Sequence, residues 1–201
     1  MSLNEQITRD LRRALGDDTD RFDHVMRVTK MVKTLAERFG GDTEKLTTAA
    51  LLHDITKNKD DAWQRETIRP VFGEAVLDAY PPPLYHAFTA MIVAREHYGI
   101  EDPDILLPIK HHTIGKPAMS LHEKVLFIAD FSEPGRPYEA STAVRETAKY
   151  SLDDAVFEAM DRAIKVFEGG GTIPNLAYDA HRYYYSYTQG EKAPYGKTQN
   201  D

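Results

Sequence analysis

The sequence predicts an all-α fold, a single helical bundle, on three observations. Apolar residues recur at helical spacing along most of the chain. No window sustains the apolar–polar alternation of a strand. Helix start and stop signals fall between the apolar runs. The 201 residues fit one domain, or one with a small appendage, and 41% hydrophobic residues suffice for a core.

Residues 1–19 read as an N-terminal helical lead-in. Val25, Val28, Val32, Leu35, Ala36 and Phe39 then line one face of a helix that Gly40-Gly41 stops. Asp42 caps a second helix whose buried face holds Leu46, Ala49, Ala50 and His53. Residues 58–83 are less regular, and Pro81-Pro82-Pro83 reads as an extended lead-in. The next helix carries Ala87, Met91, Ala94 and Tyr98 on one face, with His86 and Ala90 beside it. Asp102 followed by Pro103 starts a short helix through Ile105, Ile109 and His112. Ser120 with Glu123 is a capping box opening a helix to about Asp130. After the loop Glu133-Pro134-Gly135-Arg136-Pro137, Ser141 is expected to cap the longest helix. That helix would run through Val144, Ala148, Leu152, Ala155, Val156, Ala159 and Ala163, ending at Gly169-Gly170-Gly171. A last helix begins near Pro174 with Leu176, Ala180, Tyr184 and Tyr187, and residues 189–201 read as a polar tail.

The net charge of −7 argues against a polyanion-binding surface, although a small anion could still bind where positive charge gathers locally. No run approaches the 18 or so apolar residues of a membrane span, and the first residues lack the apolar stretch of a secretory signal. There is no cysteine. That excludes disulfides, thiolate-held zinc, iron–sulfur clusters and thiol nucleophiles, and it is compatible with a cytoplasmic location. Any metal site must therefore use the 8 histidines and 32 carboxylates.

Those residues fall in a pattern. His24 sits one turn before Val28 on an apolar face. His53-Asp54 ends the second helix directly after Ala49-Ala50-Leu51-Leu52. His86 stands near a helix start, His111-His112 at a helix end, and Asp130 follows Phe127-Ile128-Ala129. Polar groups in such places are costly unless satisfied, and one metal ion could satisfy several. Two histidines and two aspartates are donors enough for Fe, Mn, Co or Ni, with positions open for water or phosphate. His86 and His112 could bind a second ion or donate hydrogen bonds to phosphate. Taken singly, a buried histidine is more often a hydrogen-bonded core residue, so the inference rests on the combination. His97 and His122 read as surface residues, and His181 has no evident partner. Tyr183-Tyr184-Tyr185 reads as aromatic core. No Gly-rich phosphate loop is present.

The order His24, then Leu51-Leu52-His53-Asp54-Ile55-Thr56-Lys57, then Asp130 resembles the HD-domain metal-dependent phosphohydrolases. Further stretches resemble one branch, the YqeK-type symmetrical bis(5′-nucleosyl)-tetraphosphatases. These are Arg21-Phe22-Asp23-His24-Val25, Tyr85-His86-Ala87, His111-His112-Thr113-Ile114-Gly115, and Ala129-Asp130-Phe131-Ser132-Glu133-Pro134-Gly135-Arg136. The resemblance runs from about residue 20 to 140, and with the helical continuation beyond it the domain is read as residues 20–188. The resemblance implies a metal, most often iron in that branch, held by His24, His53, Asp54 and Asp130, with Mn, Co or Ni as alternatives and one or two ions in all.

It further implies that Asp54, Lys57, His86 and His112 act in catalysis. Substrate would be met by His24, Asp54, Ile55, Thr56, Lys57, His86, His112, Thr113 and Arg136. In this reading a divalent ion acidifies water and polarises a phosphoryl oxygen, while Lys57 and Arg136 neutralise polyphosphate charge. The expected activity is symmetrical hydrolysis of diadenosine tetraphosphate to two ADP. The alternatives are an HD site acting on a nucleoside monophosphate, cyclic dinucleotide or guanosine polyphosphate, or a non-catalytic nucleotide sensor. The expected partner is a small nucleotide, not a nucleic-acid polymer or a membrane, and a homodimer is left open.

Overall fold

A computed structural model describes residues 1–167 and 173–190. Among these residues there is no strand, and the helices are α1 (Leu3–Leu15), α2 (Thr19–Phe39), α3 (Thr43–Leu52), α4 (Asp61–Phe72), α5 (Glu74–Ala79), α6 (Tyr85–Tyr98), α7 (Pro103–His111), α8 (Leu121–Ser132), α9 (Glu139–Thr147), α10 (Leu152–Phe167) and α11 (Asn175–Thr188). None is long and apolar enough to cross a membrane.

The starts are set by short polar side chains that take up free helix N–H groups. Asp42 accepts from Glu44 N and Lys45 N, Asp102 accepts from Asp104 N, and Ser120 with Glu123 forms both bonds of its capping box. These three starts are where the sequence places them.

Helices α2, α3 and α8 touch pairwise, α3 also packs on α7, and α6 packs on α7. Leu46, Leu52, Ile109, Leu126 and Ile128 are fully buried at their centre, and Ile7, Leu11 and Leu15 tie α1 into the same core. The junction of α2, α3, α7 and α8 is where the inward histidines and aspartates meet.

Several expectations need correction. Residues 58–83 are mostly helical: α4 and α5 are followed by a 3-10 turn at Pro82–Leu84, with Pro81 extended. Pro70 and Gly73 obscure this in the sequence. Pro70 lies in the last turn of α4, and Gly73, with φ +76, serves as both stop and start. The expected longest helix is two, α9 and α10, separated at residues 148–151. Their apolar faces both pack inward, so their patterns run together. Ser141 lies buried inside α9 and caps nothing; Tyr138 holds the cap position, with no side-chain bond.

His122 is buried, not on the surface. Its Nε2 accepts from Asp42 N at 2.9 Å, and its Nδ1 lies 3.2 Å from Asp104 O. Gly41, with φ +106, allows this, because a Cβ there would press on the His122 ring at 3.1 Å. His181 does have a partner, Asp161 Oδ1 at 3.3 Å. The glycine run at 169–171 and residues 191–201 of the tail lie outside the described residues.

Of the tyrosine run, Tyr184 is core, whereas Tyr185 is half-exposed. The Tyr184 hydroxyl accepts from Met119 N at 3.0 Å and so pins α11 to the segment entering α8. Tyr184→Phe strands that buried N–H and should cost about 1–3 kcal/mol. Urea unfolding reads the loss, and an unchanged midpoint would remove the bond from the account of stability.

Candidate active site

Three histidines at helix ends, His53, His86 and His112, share one device. His53 follows α3, and its Nδ1 lies 2.6 Å from Ala50 O. His112 follows α7, and its Nδ1 lies 2.7 Å from Ile109 O. His86, the second residue of α6, has Nδ1 2.9 Å from Pro83 O. A carbonyl only accepts, so in each case Nδ1 carries the proton and Nε2 is bare. In each case the carbonyl lies three residues back and is free because a helix is ending or starting there. His24 is different. It stands inside α2, and its Nδ1 reaches Glu133 Oε1 at 3.1 Å, 109 residues away.

All four rings thus present Nε2 to one cavity, which Asp54 and Asp130 also enter. His24 Nε2 lies 3.0 Å from Asp130 Oδ1 and 3.9 Å from Asp54 Oδ2. His53 Nε2 lies 3.5 Å from Asp54 Oδ2 and 3.9 Å from Asp130 Oδ1. On the other side of Asp54, Oδ1 is 3.3 Å from His86 Nε2 and 3.9 Å from His112 Nε2. Ligand atoms of His24, His53 and Asp130 lie within 4.8 Å of one another, as do those of His53, Asp54 and His112. The Nε2 atoms of His24 and His53 are buried without a hydrogen-bond partner. Histidine nitrogens and carboxylate oxygens converging on one point are what a divalent cation satisfies, so this donor set fits one. The Nε2 atoms of His86 and His112 also face each other at 3.1 Å.

Burial disfavours charge on Asp54, but His53, His86 and His112 together outweigh it and hold its carboxyl well below the usual range. Asp130 is likewise held far below, against burial, by His24, His53 and the Arg136 guanidinium. Burial pushes His86 down to about 3 and His112 down to about 4, with neighbouring imidazoles adding to the effect. Burial thus favours the neutral form of both rings, the form that presents a lone pair. Burial also lowers Lys57, while Asp54 pulls it back up. Its Nζ lies 3.2 and 3.4 Å from the two His86 nitrogens.

Cationic side chains rim the cavity. Arg21 Nη1 donates to Asp54 Oδ2 at 3.0 Å. Arg136 donates from Nε to Asp130 O at 2.8 Å and from Nη2 to Asp130 Oδ1 at 2.7 Å. Both side chains stay about one-third exposed, and each keeps N–H groups free of protein partners. Beside His86 and His112 lies an apolar cavity of about 200 Å³ lined by Pro83, Leu84, Thr113, Ile114, Phe127 and Pro174. Thr113, next to His112 in the chain, lines this apolar cavity. Ile55 and Thr56 are not brought to the site: Ile55 is core, and the Thr56 hydroxyl donates to His86 O at 3.1 Å and pairs with Thr89. Thr56 supports His86 from behind.

Three residues with no role read from the sequence also belong here. Arg21 lies three positions before His24, one helical turn away, which is a legible signal. Arg27 donates from Nε to Glu133 Oε2 at 2.7 Å, and Glu133 is the carboxylate that meets His24. Burial disfavours its charge, but Arg27, His24 and Gly135 N hold its pKa down. No periodic signal marks a loop carboxylate.

Comparison with known proteins agrees with this geometry. The HD domain family model matches residues 21–134. A protein of Halalkalibacterium halodurans named bis(5′-nucleosyl)-tetraphosphatase, symmetrical, is 36% identical over 144 residues, covering 72% of this chain and 77% of its own. A Staphylococcus aureus protein of the same name is 32% identical over 167 residues, covering 82% and 86%. A crystal structure from Clostridium acetobutylicum, titled as a predicted HD superfamily hydrolase involved in NAD metabolism, superposes with a TM-score of 0.82 at 31% identity, over 93% of this chain and 99% of that one. With the family match spanning the helices that build the cleft, and relatives alike over most of their length, the chain belongs to the HD-domain family, among the symmetrical bis(5′-nucleosyl)-tetraphosphatases.

Proposed function

We propose that this chain is a metal-dependent hydrolase that cleaves diadenosine tetraphosphate symmetrically into two ADP. The observation that carries the chemistry is the convergence of histidine Nε2 atoms and two carboxylates, rimmed by Lys57, Arg21 and Arg136. The substrate is supported by the names of the relatives. HD domains bind divalent metals, and this cluster could hold one. His24, His53, Asp54 and Asp130 would hold it, and iron is the ion proposed. His86 and His112 would supply a second position. When bound, such an ion acidifies water and draws charge from a phosphoryl oxygen.

The chain's own groups do the rest. Arg21, Lys57 and Arg136 set positive charge around the polyphosphate of an otherwise acidic protein. The apolar cavity beside Thr113 excludes water and takes the flat face of a base. A water oxygen adds to one inner phosphorus, and the bridging P–O bond between the two inner phosphates breaks. The second ADP leaves with the electron pair. Where a single ion is bound at His24, His53, Asp54 and Asp130, the Nε2 of His86 or of His112 accepts the one released proton. In this reading the protein works in the cytoplasm.

The test is product analysis after incubating iron-reconstituted protein with a nucleotide panel under reducing conditions. Two ADP per diadenosine tetraphosphate is expected. ATP plus AMP would reject the cleavage position, and AMP going to adenosine at a comparable rate would move the assignment to a monophosphate hydrolase. Metal analysis of the protein as purified tests iron.

A further inference from the structure

We infer that Glu133 is a positioning residue that fixes His24 as a metal ligand. The inference rests on the metal-centre reading above. His53, His86 and His112 each fix their ring through a carbonyl three residues back, freed by a helix end. His24 has no such carbonyl, because inside α2 the main-chain acceptors are engaged in the helix ladder. Without another acceptor its Nδ1 proton would be unsatisfied, and the ring could turn or move the proton to Nε2, which closes the ligand position.

Glu133 supplies that acceptor. Its side chain is buried, with Oε1 3.1 Å from His24 Nδ1. Its own geometry is held on every side. Arg27 Nε donates to Oε2 at 2.7 Å, and Gly135 N also donates to Oε2. From α9, Arg145 donates to Ser132 O at 2.6 Å and to Glu133 O at 3.1 Å, which anchors the main chain. Gly135 has a reason too: a Cβ there would collide with the Arg27 guanidinium. The segment Glu133-Pro134-Gly135 is therefore built around one carboxylate–imidazole bond. A carboxylate also makes the ring a stronger donor to metal than a carbonyl does.

The experiment uses the full chain with 15N-labelled histidine. In metal-free parent protein, His24 should carry a proton on Nδ1, whether or not Nε2 also shares one with Asp130 Oδ1 at 3.0 Å. In Glu133→Ala that Nδ1 proton should be lost, and affinity for Mn²⁺ alone should fall roughly 10- to 100-fold. Arg27 is 40% exposed and can rehydrate, so the variant should fold. If it does not, Glu133→Gln carries the same readouts. One oxygen cannot serve both Arg27 and His24, so mixed tautomers and intermediate affinity are expected. Arg145→Ala loosens the same loop without touching the carboxylate. It should lower the unfolding midpoint and leave the His24 tautomer alone, a separation that a merely structural role for Glu133 does not predict. An unprotonated His24 Nδ1 in the parent, or a parent-like Nδ1 proton in both Glu133 variants, overturns the inference. A parent chain that binds no Mn²⁺ counts against the metal reading alone, since the tautomer measurement decides Glu133 without it.

Discussion

Asp54→Ala should lose bound metal and hydrolysis together, with turnover down by about a thousandfold or more, some 4 kcal/mol of barrier. Among the described residues, Asp54 alone turns one oxygen to each half of the cavity. Oδ2 lies toward His24 and His53, and Oδ1 toward His86 and His112. Removing it takes away a ligand and one of the two negative charges, and leaves Asp130 alone to balance a cation among the converging nitrogens. The fold should survive. Arg21 is the partner left behind, and its side chain is 31% exposed and can turn to water, so the cost in stability should stay near roughly 1–2 kcal/mol, below that of breaking a fully buried pair. Asp54→Asn sharpens the test by keeping shape while removing charge. Metal content by elemental analysis and turnover of diadenosine tetraphosphate, measured on the same preparations, should fall in parallel in both variants. Full occupancy in Asp54→Ala would sink the assignment of this carboxylate as a ligand.

The parts of this site that were legible in the sequence are those carried by periodicity and by rare residue types in costly places. His24 on an apolar helical face, and His53-Asp54 after four apolar residues, announce themselves because burying them unpaired is expensive. The same holds for the bundle itself, since caps such as Asp42 and Ser120–Glu123 are local chemistry. What was hidden depends on tertiary contact. His122 looks solvated beside Glu123 and Lys124, yet it is buried because Gly41, 81 positions earlier, leaves room for its ring. The break between α9 and α10 is masked because both helices bury the same kind of small residues against α8. Thr56 sits in the motif that resembles a substrate contact, but its hydroxyl holds His86 from below. Glu133 acts on His24 across 109 positions. No local window contains that relation.

The two rim arginines should act on substrate and not on metal. Arg21 sits on Asp54 and Arg136 on Asp130, on separate carboxylates, each with N–H groups left for an oxyanion. A charge-assisted contact in a partly dry site is worth roughly 1.5–3 kcal/mol, so each alanine variant should lower kcat/KM by about 10- to 100-fold. If the contacts are independent, the double variant should fall by about 10²- to 10⁴-fold. Metal content should not fall in either, because removing a cation beside a cation site eases metal binding by Coulomb repulsion relieved. That sign separates them from Asp54, whose loss takes the metal too. Arg136→Lys should rescue only in part, since an ammonium cannot hold the Asp130 main-chain oxygen and carboxylate with the planar fork and still present the same face to phosphate. The competing view is that Arg136 only fastens the loop after α8 to Asp130. In that case Arg136→Ala lowers the unfolding midpoint and leaves catalysis near the parent. A catalytic efficiency within about twofold of the parent, some 0.4 kcal/mol, would strike Arg136 from the substrate contacts and leave Arg21 and Lys57 to carry the polyphosphate.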